Sequence, residues 1–138
     1  ISWNIFCFHF LNNNNIMKNS YSNIFTFNKK ILKKTIKNLI IGKVVGLPTE
    51  TVYGLGGNAY SKKSIQKIFK LKGRPKTNPL IMHYYNIDRV IDDVVVNEYF
   101  KKLYRKFCPG PITFILKKKK NSKVHSTASG GLKTIGVR

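Results

Sequence analysis

Gly46-Leu47-Pro48-Thr49-Glu50-Thr51-Val52-Tyr53-Gly54-Leu55-Gly56-Gly57-Asn58-Ala59-Tyr60 lies between two helix-like stretches, and its reading sets the fold class. Val44-Val45-Gly46-Leu47 before Pro48 reads as a short buried strand ending at a turn. Thr51 to Leu55 can form a second strand, and Gly54, Gly56 and Gly57 let the backbone bend or admit a ligand closely. Downstream, Ser61 is placed to cap a helix from Lys62 to about Leu71 that aligns Ile65, Ile68, Phe69 and Leu71 on one side. Gly73 and Pro75 end it. Upstream, Ile31, Leu32, Ile36, Leu39 and Ile40 recur at helical spacing with lysines opposite, predicting a helix over 29–41 that Gly42 stops.

The alternation continues. Leu80 to Tyr84 reads as a strand, Ile87 to Val96 fits either a short helix or a strand, and Val96 to Phe107 is a helix turning Phe100, Leu103, Tyr104 and Phe107 inward. Pro109-Gly110-Pro111 is a rigid turn, and Ile112 to Leu116 has the apolar character of a buried strand. Residues 117–131 read as polar, Gly-rich and mobile, and no internal repeat stands out. Strands alternating with helices give an α/β domain, helices packed on a sheet.

A chain of 138 residues has room for one domain. Its 26 Lys+Arg against 5 Asp+Glu leave a formal charge of +21, which attracts polyanions without choosing among them. The abundance of Lys, Asn, Ile, Phe and Tyr also fits AT-rich coding, which would make many surface lysines compositional. Cys7 and Cys108 have neither metal-ligand spacing nor a disulfide-scaffold pattern, so a reducing, cytoplasmic setting is expected. Trp3 to Leu11 is too short to span a bilayer and lacks the flanks of a secretory signal. Residues 1–28 are therefore set apart as an N-terminal extension, either disordered, or with 1–16 as upstream translation ahead of an initiating Met17 or a degraded targeting leader, and 29–138 as the domain. Ile135-Gly136-Val137-Arg138 reads as a strand still in progress, the end of a partial domain.

Lys72, Arg74 and Lys76 alternate with Gly73 and Pro75, so cations that would otherwise be a solvated helix end are pinned. A guanidinium held that way can grip a phosphate or carboxylate through two parallel hydrogen bonds. Pro48-Thr49-Glu50-Thr51 offers two hydroxyls and a carboxylate at a strand end, where open α/β sheets bind ligands, although threonines also cap turns. No P-loop or dinucleotide fingerprint is present. His83 ends the Pro79-Leu80-Ile81-Met82 strand as a structural histidine or a donor to a carboxylate. No metal-ligating cluster, Ser-His-Asp or Cys-His set is evident, so chemistry here would rest on positioning and cations.

The blocks Pro48–Leu55 (Pro-Thr-Glu-Thr-Val-Tyr-Gly-Leu), Lys72–Leu80 (Lys-Gly-Arg-Pro with Asn-Pro-Leu), Pro109–Thr113 (Pro-Gly-Pro-Ile-Thr) and Thr134–Arg138 (Thr-Ile-Gly-Val-Arg), in this order, resemble the threonylcarbamoyl-AMP synthase, or YrdC-like, family. The resemblance implies a twisted open mixed sheet flanked by helices around a basic cavity, here incomplete at the C-terminus because the family's Ser-x-Asn block does not appear. It implies joining L-threonine, bicarbonate and ATP, with Mg2+ on the nucleotide, into threonylcarbamoyl-AMP and pyrophosphate. That product serves threonylcarbamoyladenosine formation at position 37 of tRNAs reading ANN codons, through downstream threonylcarbamoyl-transfer proteins.

By matching position, Thr51, His83 and Arg138 look like threonine contacts and Arg74, Asn78 and Thr134 like ATP contacts. Lys72 and Arg74 would act at the phosphates or the forming carbamate, while Thr49 and Tyr53 shape the pocket. With a wall of the cavity missing, the chain by itself is expected to be weakly stable and inactive. The competing reading is a tRNA- or double-stranded-RNA-binding module of the same fold without catalysis. A related carbamoyltransferase or hydrogenase-maturation domain is the third. No membrane partner is expected.

Overall fold

The computed structural model describes residues 6–10, 24–48 and 53–138. Its elements are β1 (Phe6–Phe10), α1 (Lys29–Ile40), β2 (Val45–Pro48), β3 (Tyr53–Asn58), α2 (Lys62–Lys72), β4 (Ile81–His83), α3 (Ile87–Asp93), α4 (Glu98–Phe107), β5 (Phe114–Lys117) and β6 (Thr134–Val137), with a short 3-10 turn at Ser126–Ser129 before β6. The six strands form one open mixed sheet in the order β2-β3-β1-β4-β6-β5, as the α/β reading expects. Only β4 and β6 run parallel, and the other neighbours are antiparallel.

The helices start and stop where their end residues dictate. Asn28, Ser61, Asn86 and Asn97 each accept a backbone N–H in the first turn of the helix that follows. Gly73 closes α2 in the left-handed region at φ 57, which a residue with a Cβ adopts only under strain. α2 covers β3 at Gly57, where a Cβ would stand 2.5 Å from Ser64 Oγ and 3.0 Å from Ile68 Cδ1, so only glycine permits this approach. Ile65, Ile68 and Phe69 of α2 then join Leu80, just before β4, Met82 of β4, Val90, Val94, Phe100, Val124, Ala128, and Ile135 and Val137 of β6 in one core.

Several expectations change. The segment Phe6–Phe10, set apart with the N-terminal extension, is a strand between β3 and β4, because an aromatic run of high strand propensity meets two strand edges that would otherwise lack backbone partners. β2 and β5 are the two sheet edges and so are only half-buried, with Ile115 68% exposed, rather than the buried strands their apolar content suggested. The stretch Ile87–Val96, open between helix and strand, divides: Ile87–Asp93 is helix α3, and Val94 beyond it is extended and bridges Lys118. Phe100 is buried and Tyr104 packs on the core, but Phe107, in the last turn of α4, is 45% exposed. Residues 117–131 are not a loose loop: Val124, Ala128 and Ser129 are buried, and Gly130, at φ 62, lies against the Thr77 carbonyl. Two of the consecutive lysines Lys117–Lys120 have local work, Lys118 donating to the Val124 carbonyl (3.2 Å) and Lys119 to that of Ile91 (2.6 Å).

Candidate functional site

The parallel pairing of β4 with β6 brings two distant blocks together. Arg138 donates its backbone N–H to Met82 O (2.9 Å), and Tyr84 donates to Arg138 O (3.0 Å), so the ladder seats Arg138 beside His83. Both line a cleft of about 760 Å³ with Tyr84, Tyr85, Tyr104 and the Cys108–Pro111 turn. That turn needs its glycine, because a Cβ on Gly110 would collide with the Phe107 carbonyl at the end of α4. The Arg138 Nε also donates to Thr113 Oγ1 (3.3 Å), tying the guanidinium to the Pro-Gly-Pro-Ile-Thr block. Burial pushes the thiol of Cys108 up, and burial likewise raises the Tyr104 hydroxyl, so both favour their neutral forms at the cleft wall.

A second group gathers at the other end of the same strands. Lys72 ends α2, and Arg74 and Asn78 sit in the turn that leads from it into β4. Arg74 is folded across that turn: Nε donates to Asn78 O (3.1 Å), and one terminal nitrogen donates to Asn78 Oδ1 (2.5 Å) and Pro79 O (2.9 Å). Partial burial, then the charge of Arg74, holds the Lys72 ammonium below the usual lysine value. Thr134 opens β6, four residues before Arg138, and extended chain of that length spans about 13 Å.

The residues singled out in sequence thus fall in two places. His83 and Arg138 share the cleft at the trailing ends of β4 and β6, whereas Lys72, Arg74, Asn78 and Thr134 lie toward the leading ends and are not among its lining residues. Tyr53, at the start of β3, is 64% exposed. Thr49 and Thr51 lie outside the described residues. Among the described residues no group of three His, Cys, Asp or Glu could hold a metal ion, and no helix is long and apolar enough to cross a membrane.

Sequence reading missed the polar knot behind the cleft. Asp93, at the end of α3, is 1% exposed. Its Oδ2 accepts from Tyr60 Oη (2.8 Å) and Tyr84 Oη (3.4 Å), and its Oδ1 from Ser122 Oγ (2.6 Å) and the Lys123 N–H (3.0 Å). Burial, then the hydrogen bond to Asp93, drives the Tyr60 hydroxyl far above its ordinary value. Burial, then the charge of Asp93, does so for Tyr84. The knot joins the end of β3, the end of β4, α3 and the loop after β5, and so sets the wall that carries Tyr84. One signal was available: an acid before Val94-Val95-Val96, in a chain with 5 acids in all.

Residues 37–138 match the Sua5/YciO/YrdC family model, described as telomere recombination. The chain is 42% identical over 98 residues to a threonylcarbamoyl-AMP synthase of Pyrococcus abyssi, covering 70% of this chain and 28% of that protein. It is 41% identical over 98 residues to that of Bacillus subtilis, again covering 70% of this chain and 28% of the relative. A crystal structure of P. abyssi Sua5 complexed with L-threonine superposes with a TM-score of 0.77 at 36% identity, covering 83% of this chain and 33% of that one. The solution structure of MTH1692 from Methanobacterium thermoautotrophicum shares the fold, with a TM-score of 0.67 at 24% identity. The chain therefore spans about a third of the P. abyssi protein.

Proposed function

The chain belongs to the Sua5/YciO/YrdC family, and we propose that it carries the amino-acid-binding part of an L-threonylcarbamoyl-AMP synthase. The observation that carries this reading is the placing of Arg138 against His83 in one cleft by the β4–β6 ladder. A guanidinium and an imidazole side by side are both groups whose N–H donors suit a carboxylate, and the Arg138 guanidinium is held in place at Nε by Thr113. A solved relative described as complexed with L-threonine supports threonine as the ligand.

In the whole enzyme, this reading has the threonine amine take up bicarbonate as a carbamate, with loss of one water. A carbamate oxygen then attacks the α-phosphorus of ATP, and pyrophosphate leaves. Lys72, Arg74, Asn78 and Thr134 would serve the nucleotide, with Thr49, Thr51 and Tyr53 completing the pocket and Mg2+ arriving on the triphosphate. The required work is alignment and neutralisation of several anions by fixed cations, which needs no acid–base pair. The product would feed threonylcarbamoyladenosine formation in tRNAs reading ANN codons, in the cytoplasm, through downstream transfer proteins.

L-Threonine binding by calorimetry tests the reading. Truncating one hydrogen-bonding partner of a charged group is worth about 1.5–3 kcal/mol, so Arg138→Ala should weaken binding about 10- to 150-fold. Threonine amide, which lacks the carboxylate, should bind comparably weakly to both forms. Equal threonine affinity in the parent and Arg138→Ala would overturn the assignment. RNA binding that falls steeply with salt, with no threonine binding at all, would favour the RNA-module reading instead.

A further inference from the structure

Although no domain-scale repeat divides the chain, Asn4-Ile5-Phe6-Cys7-Phe8 and Asn23-Ile24-Phe25-Thr26-Phe27 share the short pattern Asn-Ile-Phe-x-Phe. The first copy supplies β1, inserted between β3 and β4. The second lies just ahead of α1 and leaves Ile24 74% and Phe27 76% exposed. An exposed apolar segment without assigned secondary structure, whose near-duplicate is a strand of the sheet, calls for an explanation.

Topology supplies one. β1 and β2 are both antiparallel to β3, so they run the same way, and α1 connects them as the helix of a β–α–β crossover. With Phe6–Phe10 as the first strand, residues 11–28 intervene before α1, far more than the about two to six residues usual between a strand and its helix. With Ile24–Phe27 as the strand, only Asn28 would intervene, and Asn28 is already extended, at φ −156, as the cap of α1.

We infer that Ile24–Phe27 is a second occupant of the central strand position, exchanging with Phe6–Phe10. Aligning the repeats sets Phe25, Thr26 and Phe27 opposite Asn58, Gly57 and Gly56 of β3 and opposite His83, Met82 and Ile81 of β4, the places of Phe6, Cys7 and Phe8. The exchange keeps the sheet continuous and releases one aromatic segment or the other. It also lets a chain translated from Met17 build the same sheet.

Proline substitutions in the full chain test this, because proline removes a ladder N–H and is not tolerated in a strand paired on both sides. Phe8→Pro and Phe27→Pro should each leave a cooperatively folded protein by circular dichroism, and the double variant should not fold. In Phe8→Pro the amides of residues 24–27 should gain at least tenfold protection from hydrogen exchange. Four results would overturn the exchange: Phe8→Pro unfolding by itself, Phe27→Pro unfolding by itself, a folded double variant, or a folded Phe8→Pro without the gain in protection.

Discussion

Replacing Asp93 by alanine should be among the most damaging single changes in this chain. The side chain is buried and its two oxygens accept four hydrogen bonds, three of them between 2.6 and 3.0 Å and the fourth, from Tyr84, at 3.4 Å. Truncation leaves two tyrosine hydroxyls, a serine hydroxyl and the Lys123 N–H without their acceptor. Taking the low end for bonds to a charged acceptor, about 1.5 kcal/mol each, the three short contacts together come to about 4.5 kcal/mol. That is a large part of a typical domain stability of about 5–15 kcal/mol.

The geometry also ranks the milder variants. Tyr60→Phe removes a 2.8 Å bond and should cost about 1.5 kcal/mol, whereas Tyr84→Phe removes a 3.4 Å contact and should cost less than about 1 kcal/mol. Asp93→Asn should cost about 1–2 kcal/mol, because its amide nitrogen can donate to tyrosine hydroxyls that turn to accept while its oxygen keeps Ser122 and Lys123. Urea unfolding followed by circular dichroism reads all four. With an m-value of about 2 kcal/mol/M, Asp93→Ala should move the midpoint by about 2 M. A shift under about 0.5 M, or a Tyr84→Phe cost exceeding that of Tyr60→Phe, would refute the account of the knot.

The same tyrosines set an alkaline limit. In the fold, burial and Asp93 keep both hydroxyls protonated well above the ordinary value, whereas in the unfolded chain they release protons near pH 10. The folded state therefore binds more protons above pH 10, and stability should fall as pH rises from there, less steeply in Tyr60→Phe. A flat urea midpoint between pH 9 and 11 would contradict this. Gly57→Ala forces a methyl group against Ser64 Oγ and Ile68, and should cost about 1–3 kcal/mol by overpacking. Ser64→Ala in the same chain should recover part of that loss, and thermal melts of the three variants that simply add would show that the contact is not the cause.

Local chemistry was legible wherever a residue acts on its own neighbours along the chain. Ser61 and Gly73 bound α2 because a hydroxyl cap and a positive φ are properties of single side chains, and the Pro-Gly-Pro and Lys-Gly-Arg-Pro blocks announce turns for the same reason. Burial was less legible. Val45–Pro48 and Phe114–Lys117 look like interior strands, yet each is an edge, because exposure depends on which strands lie alongside and strand order is not written in composition. Phe6–Phe10 was misread for the related reason that a strand exists only where partners offer their backbone groups.

The sequence by itself established an α/β chain of high positive charge, the limits of α1 and α2 to within a residue, and the four blocks that relate it to its family. Only the tertiary structure decided that His83 and Arg138 share one cleft, that Lys72, Arg74, Asn78 and Thr134 gather toward the opposite strand ends, and that Asp93 fastens the wall behind Tyr84. Those relations join residues far apart along the chain, and they arise from the parallel register of β4 on β6 and the packing of α3 beneath, which no local preference specifies.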